Sequence, residues 1–133
     1  MPDDQLPRFK ALGRHVAAPS KDLETFPAPP HVDTVTLSSD EVTSLCPITG
    51  QPDWETVTIS YVPDQLCVES KSLKLYFWSL RQEGLFCEAL AALVAEAVFA
   101  AARPHHCTVT VAQKARGGIT ITAVASRHRA QED

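Results

Sequence analysis

SKSLKLYFWSL, residues 70–80, and FCEALAALVAEAVFAA, residues 86–101, are the two stretches that decide the fold. The apolar residues of the first recur at the helical period: Leu73, Tyr76, Phe77 and Leu80. Gly84 interrupts the pattern, and Pro104 follows the alanine-rich second stretch as a stop signal. These features predict two consecutive helices in the middle of the chain.

Strand-like segments precede the helices. Val32 to Leu37 alternates in the manner of a strand, and the polar run Ser38-Ser39-Asp40 is predicted to end it. Trp54 to Val62 has strand composition, with three apolar side chains predicted on one side: Val57, Ile59 and Tyr61. The two segments predict a hairpin region that closes through Cys67-Val68.

Two further strand-like segments, Cys107 to Val111 and Ile119 to Val124, follow the helices. Residues 113–118 are predicted to join them, because Gly117-Gly118 permits a tight or bulged turn. The order of two strands, two helices and two strands predicts an α+β domain. Its sheet is expected to be antiparallel, with both helices on one face.

The N-terminal residues 1–30 are rich in proline and have no clear period. We predict an extended arm there, ordered against a neighbouring subunit, and a single domain over residues 31–133. The arm has no apolar signal core, and Ala89 to Ala102 is too short for a spanning helix and is interrupted by Glu96. A cytoplasmic protein without a membrane partner is predicted.

Charge and cysteine spacing restrict the function classes. The net charge is -4, and no basic run interleaves with aromatic residues, so direct nucleic-acid binding is not expected. The four cysteines form no Cys-x-x-Cys pair, which disfavours a zinc site. Consecutive strand residues point to opposite faces, so His105-His106-Cys107 does not predict a metal site either. No metal is expected.

The loop CPITGQPD, residues 46–53, carries the first candidate for chemistry. Its two prolines and its glycine stiffen the backbone, and the turn can fold Asp53 back towards Cys46. A cysteine becomes a nucleophile as its thiolate, and a nearby carboxyl group can exchange protons with an adduct formed on sulfur. The alternative interpretation is a structural cysteine beside a turn-capping aspartate.

The segment ESKSLKLY, residues 69–76, is the second candidate. Ser70 is predicted to cap the helix, whose first N–H groups form an anion site. Lys71 and Lys74 are three positions apart and share a helix face that suits a phosphate-bearing ligand. The alternative is a capped helix with two solvated lysines.

Two weaker candidates follow. Arg116-Gly117-Gly118 can offer a guanidinium and exposed backbone N–H groups to a phosphate, although such triplets are usually hairpin turns. Glu88 can accept two N–H donors from a guanine-like edge. Its alternative role is that of an acidic residue favoured by the helix macrodipole.

Together, these segments resemble the 7-cyano-7-deazaguanine reductase family, the nitrile reductases of queuosine biosynthesis. Residues 43–53 are similar to the nucleophile loop of that family, and residues 69–76 are similar to its signature for NADPH use. The likeness covers roughly residues 26–121, with both motifs in the expected order. It implies a tunnelling fold, in which sheets from several subunits form a barrel with sites between subunits. For the short form of the family it implies a decamer of two pentamers.

The resemblance also implies roles for single residues. Cys46 would attack the nitrile carbon to form a thioimide while Asp53 supplies a proton, and NADPH would deliver two hydrides in succession. The remaining roles are binding roles: Val68, Glu69 and Ser70 would line the substrate, Glu88 would grip its pyrimidine edge, and Lys71, Lys74, Arg116 and Gly117 would face the dinucleotide.

Cys87 departs from the family pattern, which has histidine immediately before the substrate-binding glutamate. We interpret this as a tolerated substitution, with Cys87 lining the substrate. Two alternatives are a substitute polar wall and a protective disulfide with Cys46.

Three other functions compete with nitrile reduction. Relatives of the same fold add ammonia to the nitrile without NADPH, but they lack the lysine-bearing signature. A non-catalytic module could hold a purine-like base through Glu88. A pterin enzyme related to GTP cyclohydrolase would need a zinc site, for which the spacing of cysteine and histidine offers little support.

Overall fold

The computed structural model describes residues 18–130. These residues form six strands and two helices, in this order: β1 Thr25–Pro27, β2 Val35–Leu45, β3 Pro52–Val62, β4 Leu66–Val68, α1 Ser70–Ser79, α2 Cys87–Ala102, β5 His106–Arg116 and β6 Ile119–His128. The predicted α+β class and the order of long strands and helices are confirmed.

The four long strands form one antiparallel sheet in the order β2-β3-β5-β6, and β1 pairs with β4 in a separate two-stranded sheet. Both helices lie in the connection between β3 and β5, which are nevertheless neighbours in the sheet. The two hairpins β2-β3 and β5-β6 therefore lie side by side, and their loops, residues 46–51 and 117–118, can meet at one edge.

The core lies on one face of the sheet. Val57, Ile59 and Tyr61 are buried on the same side of β3, as predicted, and join a single apolar cluster with residues of both helices. From α2, the cluster takes Leu90 and Val94 at helical spacing. Fully burying such a side chain contributes about 1.5–3 kcal/mol, so this face holds the helices in place.

The opposite face of the sheet is lined by hydroxyl groups. Ser38 and Thr58 hydrogen-bond across β2 and β3 at 3.1 Å, and Thr108 and Ser126 do so across β5 and β6 at 3.2 Å. The alternation of apolar and hydroxyl side chains gives the sheet one apolar face and one wettable face.

The predicted end of β2 at Ser38-Ser39-Asp40 is wrong. β2 continues to Leu45, and its register with β3 shifts between Ser39 and Val42. A bulge of this kind absorbs extra residues without ending the strand, and the Ser38 hydroxyl lies on the hydroxyl-lined face, where it pairs with Thr58. The extension brings the chain directly to Cys46.

The predicted connection over residues 113–118 is too long. β5 continues to Arg116, and only Gly117 and Gly118 remain as the turn, with φ of 60° and 79°. Two successive residues with positive φ match the right-handed twist of a tight hairpin, which is why glycine occupies both positions. Arg116 therefore lies at the end of a strand.

Part of the predicted arm packs on its own chain. β1 pairs with β4, and the backbone N–H of Glu24 donates to the Ser72 hydroxyl at 2.9 Å. Residues 1–17 lie outside the described residues, and the predicted boundary between residues 30 and 31 stays a prediction. Neither helix within residues 18–130 has the length and apolar character needed to cross a bilayer.

Candidate active site

The loop between β2 and β3 is closed by its own backbone. Cys46 N–H donates to the Gln51 carbonyl, and Gly50 N–H donates to the Cys46 carbonyl, each at 2.8 Å. Gly50 has φ of 73°, a conformation that glycine adopts readily. The loop therefore presents Cys46 in a fixed orientation at the edge of the sheet, as the turn residues predicted.

The thiol of Cys46 is half-buried, and its surroundings favour the thiolate. Hydrogen bonds from the Thr49 hydroxyl and the Thr49 backbone lower the pKa of Cys46 to about 7, and the Ile48 backbone and the Arg116 charge act in the same direction. A large fraction of Cys46 is therefore ionised at neutral pH, as a cysteine nucleophile requires.

Asp53 lies at the start of β3 and is buried, at 4% exposure. The guanidinium of Arg116 donates a hydrogen bond to its carboxylate, and a second guanidinium nitrogen donates to the Gln51 side chain at 3.0 Å. Arg116 thus joins the end of β5 to the start of β3. The structure brings together three predicted site residues, Cys46, Asp53 and Arg116.

A second buried carboxyl group, on Glu55, follows Asp53 on the same face of β3. Its Oε1 accepts a hydrogen bond from the Ser44 hydroxyl at 2.6 Å, whereas its Oε2 has no hydrogen-bond partner among residues 18–130. Burial raises the pKa of Glu55 to about 6. Neither Glu55 nor Ser44 is among the site residues predicted from the sequence. The period-two pattern of Val57, Ile59 and Tyr61, extended backwards, would have placed Glu55 on the buried face.

Cys87 and Glu88 begin α2. Cys87 is buried, with its Sγ 3.5 Å from the Val111 carbonyl, and burial together with the charges of Glu88 and Glu55 raises its pKa. Glu88 is exposed in the first helical turn. Cys46 and Cys87 are both free thiols in the structure, so the disulfide between them stays a prediction for oxidised protein.

Glu69, rather than the predicted Ser70, caps α1. The Glu69 carboxylate accepts hydrogen bonds from the backbone N–H groups of Lys71 at 2.5 Å and Ser72 at 3.1 Å. The prediction was wrong because Ser70 is already the first helical residue, so the extended residue before it takes the cap position. Glu69 is buried, whereas Ser70 is exposed.

The predicted substrate residues lie near two different ends of strand β3. Val68 N–H donates to the Tyr61 hydroxyl at 2.8 Å, so residues 68–70 lie near the end of β3 at which Tyr61 sits. Asp53 lies at the other end of that strand. The two residues are eight positions apart on the strand, which corresponds to roughly 25 Å. Within one chain, therefore, Glu69 and Cys46 do not share a pocket.

The predicted dinucleotide residues are also in two places. Lys74 is exposed and lines a cavity of about 500 Å³ between α1 and β2, with Trp78 and Arg81 in the same wall. Lys71 is half-buried at the start of α1. Gly117, beside Arg116, has open space where a side chain would lie, so a ligand can approach its backbone closely.

Comparisons with known proteins identify the family to which the chain belongs. The family model described as QueF-like protein matches residues 52–132. A protein of Syntrophus aciditrophicus, named NADPH-dependent 7-cyano-7-deazaguanine reductase, is 48% identical over 93% of this chain and 89% of its own length. Proteins with the same name from Alkalilimnicola ehrlichii and Frankia casuarinae are 49% and 44% identical, over 84% and 89% of this chain and 88% and 94% of their own lengths.

Among solved structures, the chain resembles the crystal structure of the archaeosine synthase QueF-Like in the apo form. The TM-score is 0.69 at 27% sequence identity, and the match covers 75% of this chain and 98% of that one. The family model spans more than half of the chain, and the relatives match it over most of their length. This chain belongs to the QueF-like family, among relatives named NADPH-dependent 7-cyano-7-deazaguanine reductases.

Proposed function

We propose that this chain reduces the nitrile of 7-cyano-7-deazaguanine to an aminomethyl group with NADPH, as a cytoplasmic enzyme of queuosine biosynthesis. One observation carries the proposal: a cysteine with a pKa of about 7 lies on a stiff loop beside the buried Asp53, in a chain 48% identical to a named reductase. A thiolate and a carboxyl group are the two groups that addition to a nitrile requires.

The first step uses Cys46 and Asp53. The Cys46 thiolate attacks the nitrile carbon and forms a carbon–sulfur bond, while one π bond of the nitrile moves its electron pair to nitrogen. Asp53 gives its proton to that nitrogen, and the product is a neutral thioimide. A thioimide accepts hydride more readily than a nitrile does, so covalent attachment divides a difficult reduction into easier steps.

The residues near Arg116 and Lys74 fit a dinucleotide. Arg116 and Gly117 combine a cation with open backbone, and Lys74 and Arg81 place two cations in the wall of a cavity that also holds Trp78. Cations and exposed N–H groups are the partners that phosphate prefers, and an aromatic ring suits a base. NADPH held by these two groups of residues would supply the two hydrides. Lys71 is the remaining residue that we assign to cofactor binding.

We assign substrate recognition to two copies of the chain. Glu88, beside Cys87, would hold the pyrimidine edge of the base near Cys46, and Val68, Glu69 and Ser70 would come from a neighbouring subunit. The roughly 25 Å of β3 between the two groups supports this arrangement. The expected assembly is a barrel of tunnelling-fold subunits, as a decamer of two pentamers.

Amidine formation is the second candidate, because the chain resembles an archaeosine synthase structure. In that reaction ammonia would attack the thioimide carbon, and no NADPH would be consumed. The lysine-bearing segment and the relatives named NADPH-dependent support reduction instead. The two reactions share the adduct on Cys46 and differ in the second reactant.

The deciding experiment combines NADPH absorbance with intact-mass analysis. Wild-type protein with 7-cyano-7-deazaguanine should gain the mass of the substrate and should oxidise two NADPH for each nitrile. Cys46→Ala should do neither, whereas Cys67→Ala, a change at a buried free cysteine, should do both. An adduct without NADPH oxidation would favour amidine formation. Binding of the base without any adduct would indicate a non-catalytic binding module.

A further inference from the structure

The ion pair between Asp53 and Arg116 opposes the role of Asp53 as a proton donor. A guanidinium in contact with a carboxylate favours the charged form, because loss of the proton then gains a favourable interaction. Asp53 must nevertheless hold a proton when the nitrile nitrogen develops negative charge. An opposing charge near Asp53 would restore its affinity for the proton.

Glu55 is placed to supply that opposing charge. Asp53 and Glu55 are two positions apart on β3 and point to the same buried face, which puts them about 7 Å from each other along the strand. Glu55 is 3% exposed, and the Ser44 hydroxyl donates to only one of its two oxygens. A buried oxygen without a partner costs free energy, so the stability of the fold does not explain this carboxyl group.

We propose that Glu55 is a positioning residue for the proton: its buried negative charge balances Arg116 and keeps a proton on Asp53 for the substrate nitrogen. This rests on the proposed function, and it adds a residue to which no catalytic role has been assigned. Proton transfer itself remains between Asp53 and the nitrogen. Glu55 neither contacts the substrate nor exchanges a proton with it.

Burial raises the pKa of Glu55 and the Ser44 hydrogen bond lowers it, and other charged and titratable groups lie around this carboxyl group. Cys87 and Glu88 approach from the start of α2, and Asp53 and Arg116 lie at the same end of the sheet. Opposite Glu55, β2 contributes Val42 and β5 contributes Gln113, neither of which carries a charge. With a pKa of about 6, Glu55 carries its negative charge above that pH and is neutral below it.

A single charge at this distance in a partly buried site changes a proton affinity by on the order of ten- to fiftyfold. The test measures the rate at which the adduct with 7-cyano-7-deazaguanine forms on Cys46, without NADPH, from pH 5 to pH 9 by intact mass. We expect Glu55→Gln to be at least about tenfold slower than wild type above the pKa of Glu55. Below that pKa the two rates should converge, because Glu55 is then neutral in wild type as well.

Three further variants separate charge from structure. Glu55→Asp keeps the charge and should recover most of the difference from Glu55→Gln. Ser44→Ala removes the hydroxyl that donates a hydrogen bond to Glu55. Loss of this hydrogen bond favours the neutral carboxyl group, so the pH at which the rates with and without the Glu55→Gln change converge should rise. Asp33→Asn removes an exposed negative charge from the segment before β2 and should leave the rates unchanged.

The role of Glu55 would be contradicted if the ratio of the adduct-formation rates of wild type and Glu55→Gln were the same at every pH. This holds even if both proteins form the adduct and melt normally. Equal loss in Glu55→Asp and Glu55→Gln would contradict it in the same way. Failure of the wild type to form any adduct would instead overturn the proposed function, and the role of Glu55 with it.

Discussion

Arg116, the last residue of β5, is hydrogen-bonded to the carboxylate of Asp53 at the start of β3. The pair crosses from one hairpin of the sheet to the other and lies beside the loop that carries Cys46. It connects a residue assigned to the dinucleotide with a residue assigned to proton transfer. The same guanidinium also donates to Gln51, inside the nucleophile loop.

Loss of this pair should affect both stability and cofactor use. Arg116→Ala leaves the Asp53 carboxylate buried without its donor, so we expect the free energy of unfolding to fall by about 1–3 kcal/mol in urea melts. The KM for NADPH should rise. Arg116→Lys keeps the charge but not the paired geometry, and it should give an intermediate effect. An unchanged KM for NADPH in Arg116→Ala would remove Arg116 from the dinucleotide site.

Thr49 should control the ionisation of Cys46. The Thr49 hydroxyl is the largest single cause of the lowered pKa, so Thr49→Val should move the pKa of Cys46 from about 7 towards 9.0. The pH dependence of iodoacetamide alkylation, followed by intact mass, measures this directly. Thr49→Ser keeps the hydroxyl and should titrate as wild type does. If Cys46 titrates alike in the Thr49→Val and Thr49→Ser variants, the Thr49 hydroxyl has no part in the activation of Cys46.

Glu55 should make stability depend on pH. Its pKa in the folded protein is raised from 4.5 to about 6, so the folded state binds this proton more tightly than the unfolded state. The stabilisation is complete below the unfolded pKa and is lost as pH rises through about 6. Relative to wild type, Glu55→Gln should therefore gain about 2 kcal/mol at pH 8 and almost nothing at pH 4.

Denaturant melts of Glu55→Gln and wild type at the two pH values measure this difference. Glu41→Gln, the same substitution at an exposed position, is melted in parallel as the control for replacing a carboxylate by an amide. An equal difference at both pH values would show that the carboxyl group of Glu55 is not perturbed by burial.

Glu69 should have two separable roles. Glu69→Ala removes the cap of α1 and should cost about 1 kcal/mol of stability, whereas Glu69→Ser restores a capping oxygen and should melt near wild type. If Glu69 also contacts the substrate, both variants should lose affinity for 7-cyano-7-deazaguanine in equilibrium binding. Normal affinity in Glu69→Ser would limit Glu69 to the cap.

Sites shared between subunits should permit complementation. Cys46→Ala and Glu69→Ser alter residues near opposite ends of β3, so a shared site in a mixed assembly can receive a normal residue of each kind. Each variant alone should be inactive or weak, and co-refolded mixtures should regain part of the wild-type rate. Mixtures of Cys46→Ala with Asp53→Asn, which alter the same end, should regain less. Equal recovery in both mixtures would argue against shared sites.

The sequence by itself determined the order of the main elements and indicated the family. Helical spacing placed α1 and α2, alternation placed the buried side of β3, and the residues of the Cys46 loop and of the lysine-bearing segment indicated a nitrile reductase. Local patterns of this kind depend on the backbone period and on the φ preferences of glycine and proline, which are properties of neighbouring residues.

Strand ends and caps were harder to predict. β2 continued through Ser38-Ser39-Asp40 because β3 offered partners and a bulge absorbed the extra residues, which is a cross-strand effect. Glu69 replaced Ser70 as the cap because the helix began at Ser70, one residue earlier than a serine cap implies.

Only the tertiary structure decided which charges meet. Arg116 and Asp53 are 63 positions apart, and no local pattern indicates that their strands would bring them into contact. The pKa of Glu55 is likewise a tertiary effect. It depends on the burial of Glu55 and on the lack of a partner for its Oε2 among residues 18–130, and both depend on the segments packed against the buried face of β3. Proton affinity depends on desolvation and on neighbouring charges, and both come from segments that are distant in the chain.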